Sequence, residues 1–183
     1  MVKTLSLYFA LHTSGPLYVE IPLNSSSEEF KRIAAFFART ASQQILSIKR
    51  IQNKPLLFLY QRRRAAIAAK PQNGNSANEE LFFHGAKQPG ITGKICMSGF
   101  DERFGNGLLW FSTNANYSIG YCQDKRMILA RLALGYISQD SNHCGNQSVG
   151  HRRMDDQVGG GSDNRYTLPD ACQTYPAYLI QFS

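Results

Sequence analysis

An α+β domain is expected from this sequence. Apolar residues recur at helical spacing in two stretches near the start, and short apolar runs bounded by turn residues dominate the rest. The 183 residues suffice for one hydrophobic core, so a single domain over 1–183 is expected. Hydrophobic residues make up 43% and charged residues 18%, the balance of a globular chain rather than a disordered one. No apolar run reaches the length of a membrane span.

The elements follow in order. Residues 5–11 are apolar but lack the basic flank and cleavage site of a signal peptide, so they read as a strand. Strands at 4–11 and 17–21 pair through Ser14-Gly15-Pro16. Ser25-Ser26-Ser27-Glu28-Glu29 offers a capping box for a helix. Phe30, Ile33 and Phe37 form its buried stripe, and it ends near Ser42. Residues 45–52 alternate as a strand. Asn53-Lys54-Pro55 opens a second helix with proline in its first turn. Leu56, Leu57, Leu59, Tyr60 and Ile67 are expected to face its core side, and Arg62-Arg63-Arg64 water. Residues 71–78 form a polar loop with no core-forming residue. Residues 80–84, 108–112, 127–134, 166–168 and 178–182 read as strands and 92–98 as a short helix. Residues 144–164, with Gly159-Gly160-Gly161, are expected to be an exposed insertion. No internal repeat is present.

The net charge is +7, part of it in Lys49-Arg50 and Arg62-Arg63-Arg64. Such a balance suits nucleic acid or an acidic partner, but no aromatic–basic interleaving sharpens it, and a solvated face is the simpler reading. The cysteines, Cys96, Cys122, Cys144 and Cys172, are widely spaced and read as reduced thiols of an intracellular protein, nuclear or cytoplasmic. His143, Cys144, His151 and Cys172 fit no zinc-ligand spacing, so no metal is expected.

The chemistry-bearing segments are Leu81-Phe82-Phe83-His84-Gly85-Ala86, Gly99-Phe100-Asp101-Glu102-Arg103, Trp110-Phe111-Ser112, Asn116-Tyr117-Ser118 with Tyr121, and Gln173-Thr174-Tyr175-Pro176-Ala177-Tyr178-Leu179-Ile180. With Tyr18-Val19-Glu20-Ile21-Pro22-Leu23 and Ile51-Gln52-Asn53, their order and spacing resemble the catalytic domain of the poly(ADP-ribose) polymerase (PARP) family. The resemblance is nearest to the mono-ADP-ribosylating and tankyrase-like members. It implies an ADP-ribosyltransferase fold of mostly antiparallel, split β-sheets with a few helices. It also implies NAD as substrate, a protein acceptor, no membrane and a monomer.

The reaction breaks the bond between nicotinamide and ribose through an oxocarbenium-like transition state. A protein assists by gripping the amide, stacking on the ring and orienting the ribose hydroxyls. The resemblance gives His84 to the adenosine-side ribose, Gly85 and Ser118 to the carboxamide, and Tyr121 to the nicotinamide ring.

The chain departs from the family's His-Tyr-Glu triad. Trp110 stands at the tyrosine position, where an indole still stacks but has no phenolic hydroxyl. Counting back from Tyr175-Pro176, the glutamate position falls on Arg165, which is always cationic and accepts no hydrogen bond. A shift of one residue puts Asn164 there, and of two, Asp163. The connection from Arg103 to Trp110 is shorter than the family's donor-site loop, and Ala86 replaces a hydroxyl residue. Chain elongation is therefore not expected. The function expected is that of a mono-ADP-ribosyltransferase with catalytic positions His84, Trp110 and Arg165; the alternative is a PARP-like pseudoenzyme acting as a binding module. Nucleic-acid binding is a third reading, resting on charge alone.

Overall fold

A computed structural model describes residues 16–105, 108–135, 137–138, 150–153, 165–168 and 170–183. The expected strand at 4–11, Asp163, Asn164 and the glycine run at 159–161 lie outside the described residues.

Among the described residues, nine strands form one sheet in the order β1-β2-β9-β5-β3-β4-β8-β7-β6. They are β1 (Tyr18–Pro22), β2 (Ile45–Asn53), β3 (Glu79–Gly85), β4 (Leu109–Ser112), β5 (Arg126–Ala133), β6 (Ile137–Ser138), β7 (Gly150–Arg153), β8 (Arg165–Leu168) and β9 (Thr174–Phe182). All neighbours are antiparallel except β6 and β7. The helices are α1 (Glu28–Ala38), α2 (Lys54–Ala68), α3 (Ile91–Ser98) and α4 (Ala115–Ile119). The expected split is visible in the pairing. β3 and β4 meet at a single pair, Phe83 with Ser112, whereas β3 and β5 stay paired from Glu79 to Gly85. The sheet therefore opens just beyond Phe83, next to His84.

The core lies on both faces of the central strands. Phe83, Met127 and Leu129 pack with Ile33 and Phe37 of α1 and Tyr60 and Ile67 of α2. Phe82, Ile128 and Ala130 pack with Ile95 of α3 and Phe111 of β4. A strand covered on both faces needs apolar residues at consecutive positions, which is why β5 reads as an almost unbroken apolar run.

Local chemistry sets the helix ends. Ser27 Oγ accepts from the Phe30 N–H at 3.2 Å and caps α1. The reciprocal half of the expected capping box is not formed. The Ser27 N–H bonds the Asn24 carbonyl, Glu28 pairs with Lys31, and Glu29 accepts from Arg50 and Tyr178. The helix stops at Ala38, short of Ser42, and the chain tightens there, with the Thr40 N–H bonding the Phe37 carbonyl three residues back.

Other expectations need correcting in α2 and the loop after it. Leu59 is exposed, as is its neighbour Phe58, while Tyr60 and Ile67 carry the buried stripe. The 71–78 loop does contribute to the interior. Asn73 is buried and donates to the Ile67 carbonyl at 2.7 Å, and Ala77 packs in the core. Much of the basic charge is paired rather than free. Lys49 meets Glu20, Arg50 meets Glu29, Arg63 meets Asp170 and Arg64 meets Glu79, all within 2.9 Å. Arg62 lies over the Phe58 ring.

Asn53 joins four elements. Its Oδ1 caps α2 by accepting from Leu56, and its Nδ2 donates to the Cys96 and Met97 carbonyls at the end of α3. Its backbone N–H donates to the Tyr175 hydroxyl of β9, which in turn donates to the Ile51 carbonyl at 2.9 Å. Asn53→Ala removes the cap and leaves two carbonyls without their partner. It is expected to cost roughly 3 kcal/mol, read as a lower urea midpoint at unchanged slope. A loss near 1 kcal/mol would mean that only the cap matters.

Candidate active site

The site forms where β3 and β4 part. His84 sits near the end of β3, on the face it shares with Phe82. Its ring meets Phe100 edge-on at 5.1 Å and Phe111 at 5.4 Å. Its Nδ1 lies 2.8 Å from the Trp110 carbonyl oxygen. A carbonyl only accepts, so Nδ1 carries the proton. Nε2 of the neutral ring is then a bare acceptor. Burial holds the imidazole below its ordinary pKa, partly offset by the Trp110 carbonyl.

Phe100 is held in this box by its neighbours. Gly99 has φ 89°, which glycine adopts freely, and an added Cβ would touch Leu56 Cδ2 at 3.0 Å. Asp101 accepts from the Arg103 backbone N–H at 3.0 Å and from its guanidinium at 2.8 and 2.6 Å, which fixes the next turn.

Gly85 faces the other side. A Cβ there would overlap the Ser118 carbonyl oxygen and stand 3.0 Å from both Cys122 Sγ and Tyr121 Cβ. Only glycine lets the end of α4 come this close to β3. The helix is positioned by three bonds. Ser112 Oγ accepts from the Asn114 N–H, Asn114 Oδ1 from the Tyr117 N–H, and Thr40 Oγ1 from the Ala115 N–H. Ser118 is buried, and its carbonyl accepts from the Tyr121 N–H at 3.1 Å and the Cys122 thiol at 3.2 Å.

The Tyr121 hydroxyl lies 2.9 Å from the Tyr117 hydroxyl, with the rings tilted at 57°. Lys87 Nζ lies over the Tyr121 ring, 5.2 Å from its centre. Neither Lys87 nor the orienting role of Tyr117 is signalled by sequence. Lys87 reaches the ring only through the turn after Ala86, whose carbonyl accepts from the Gln123 N–H at 3.5 Å.

Trp110 is 36% exposed, between the buried Leu109 and Phe111. Strand alternation puts its indole on the face of Ser112, Phe83 and the open side of Gly85, opposite Phe111. Its carbonyl, not its ring, contacts His84. Gly85, Ser118, Tyr121 and Trp110 thus share one face of the split, and His84 borders it from the other. At the third triad position, the Arg165 backbone opens β8 opposite Ser112 and Arg153.

No group of three or more His, Cys, Asp or Glu side chains suited to a metal occurs among the described residues. Burial pushes the Cys96 and Cys122 thiols up to about 12, so neither supplies a thiolate at neutral pH. Among the described residues, no helix is long and apolar enough to cross a membrane.

Residues 27–153 match the family model described as the poly(ADP-ribose) polymerase catalytic domain. Protein mono-ADP-ribosyltransferase PARP11 of Homo sapiens is 29% identical over 90% of this chain and 59% of its own length. Protein mono-ADP-ribosyltransferase PARP12 of Mus musculus is 29% identical over 91% of this chain and 26% of its own. A probable poly [ADP-ribose] polymerase of Dictyostelium discoideum is 30% identical over 88% of this chain and 52% of its own. The chain therefore spans from about a quarter to three fifths of these relatives.

Proposed function

Because the chain belongs to the poly(ADP-ribose) polymerase catalytic-domain family, we propose that it transfers a single ADP-ribose unit from NAD to a protein acceptor. The observation that carries this reading is the parting of β3 and β4 beside His84 and Gly85. Beyond the Phe83–Ser112 pair, that edge of β3 has no strand neighbour among the described residues. The backbone of Gly85 can there bond a primary amide, with Ser118 as a second partner and Tyr121 as the stacking face. His84 Nε2 accepts from a hydroxyl of the adenosine-side ribose. Trp110 closes the same face of the split.

In the reaction the ribose C1′–N1 bond breaks and its electron pair goes to N1, releasing neutral nicotinamide. A nucleophilic atom of the acceptor supplies the pair for the new bond to C1′ and gives up any proton it carries. With Arg165 at the third triad position, no carboxylate of the triad polarises a ribose hydroxyl. An acceptor carboxylate completes the site instead, so one unit is added and no chain grows. The whole chain, 1–183, works as one catalytic unit and as a monomer in the nucleus or cytoplasm. Pairing of Lys49, Arg50, Arg63 and Arg64 with carboxylates favours a protein acceptor over nucleic acid.

The test is intact-mass spectrometry after incubation with NAD and candidate acceptor proteins. Discrete single ADP-ribose additions are expected, on the chain itself or on the acceptor. In Tyr121→Ala, loss of the stacking ring is expected to raise the KM for NAD roughly tenfold. NAD binding without any transfer would instead support a binding module built on the same pocket.

A further inference from the structure

Lys87 occupies a position that the reaction itself makes significant. Its ammonium lies over the face of the Tyr121 ring, 5.2 Å from the centre. The side chain is exposed, and it makes no ion pair among the described residues. Among the described residues its charge partner is the π face of the ring, and the exposed side chain otherwise meets solvent. Tyr121 is anchored at its tip, because its hydroxyl meets that of Tyr117 at 2.9 Å. Any ring that stacks on Tyr121 therefore meets a fixed aromatic surface with a cation beside it.

We propose that Lys87 sets the charge selectivity of this ring site, disfavouring the cationic pyridinium of NAD relative to neutral nicotinamide. The inference rests on the nicotinamide site proposed above. Bound NAD carries a positive charge on the ring nitrogen, and a ring stacked on Tyr121 brings that charge close to the Lys87 ammonium. When the C1′–N1 bond breaks, its electron pair neutralises the ring, and the repulsion disappears. The acceptor atom fills the vacated position on C1′ and passes any proton it carries to solvent. Lys87 thus raises the free energy of the bound substrate more than that of the departing product.

The experiment uses two small probes without phosphates, 1-methylnicotinamide (cationic) and nicotinamide (neutral), titrated against wild type, Lys87→Met and Lys87→Arg by saturation-transfer NMR. Two unit charges about 6 Å apart in water repel by an amount equal to roughly a threefold change in affinity. Lys87→Met is therefore expected to improve binding of the cationic probe about threefold more than that of the neutral one. Lys87→Arg keeps the wild-type ratio, since the charge and not the stem is responsible. An equal gain for both probes would mean that Lys87 only fills space, and would overturn the proposal while leaving the ring site intact. If neither probe binds any of the three proteins, the nicotinamide site itself fails and the proposal with it.

Discussion

Gly85→Ala is expected to abolish detectable NAD binding and to lower stability by roughly 2 kcal/mol. The new Cβ would overlap the Ser118 carbonyl oxygen and crowd Cys122 Sγ and Tyr121 Cβ at 3.0 Å. The principal clash is with backbone, so no side-chain rotation relieves it. The end of α4 has to retreat from β3. That carbonyl also receives the Tyr121 N–H and the Cys122 thiol, so the retreat carries Ser118 and Tyr121 with it. Gly93→Ala is the matching control. A Cβ at Gly93 meets nothing within 4 Å, and the residue lies inside α3. There alanine is expected to be neutral or to stabilise by up to about 1 kcal/mol. Thermal melts and NAD calorimetry on both variants decide the matter. A Gly85→Ala protein that melts and binds NAD like wild type would show that α4 does not need this close approach, and the proposed amide site would lose its geometric basis.

How far the sequence reveals this site depends on whether a residue's job is local. The His84-Gly85 pair, the cap at Ser27 and the alternation of β2 are readable because neighbours in the chain are neighbours in space. Helix α2 is harder. Leu56-Leu57-Phe58-Leu59-Tyr60 is apolar around a whole turn, so spacing cannot tell Leu59, which is exposed, from Tyr60, which is buried. Asn73 reads as a loop residue because its hydrogen bond to Ile67 depends on how the loop folds back on α2. The second job of Asn53 joins residues 43 and 44 positions apart in the chain. Lys87 looks like any exposed lysine until the 121–125 turn is laid beside it. Arg165 falls at the glutamate position by counting, and it opens β8 in register with Ser112, two residues from Trp110.

His84 tests the reading most directly, because its two nitrogens do different work. Nδ1 donates to the Trp110 carbonyl across the split, and in the proposed site Nε2 accepts from the ligand. Asparagine can keep the donor toward Trp110 but has nothing at the Nε2 position, whereas glutamine reaches that position. His84→Asn is therefore expected to fold like wild type and to transfer ADP-ribose roughly 100-fold more slowly, with His84→Gln in between. Equal loss in both, accompanied by a lower melting temperature, would reduce His84 to a structural residue. The pH profile separates the roles further. Burial lowers the imidazole pKa in the folded chain, so the unfolded chain takes up its proton first as the pH falls. The His84 contribution to stability is complete above the ordinary histidine pKa of about 6.5 and declines as the pH drops from there toward the folded value. The rate follows the folded value alone. Its acid limb is expected below pH ~6.5, where protonated Nε2 no longer accepts a ribose hydroxyl. The His84 ring titration followed by NMR should share that midpoint. An acid limb at or above the ordinary histidine pKa, or one that survives in His84→Gln, would assign the titration to another group and remove His84 from the ribose.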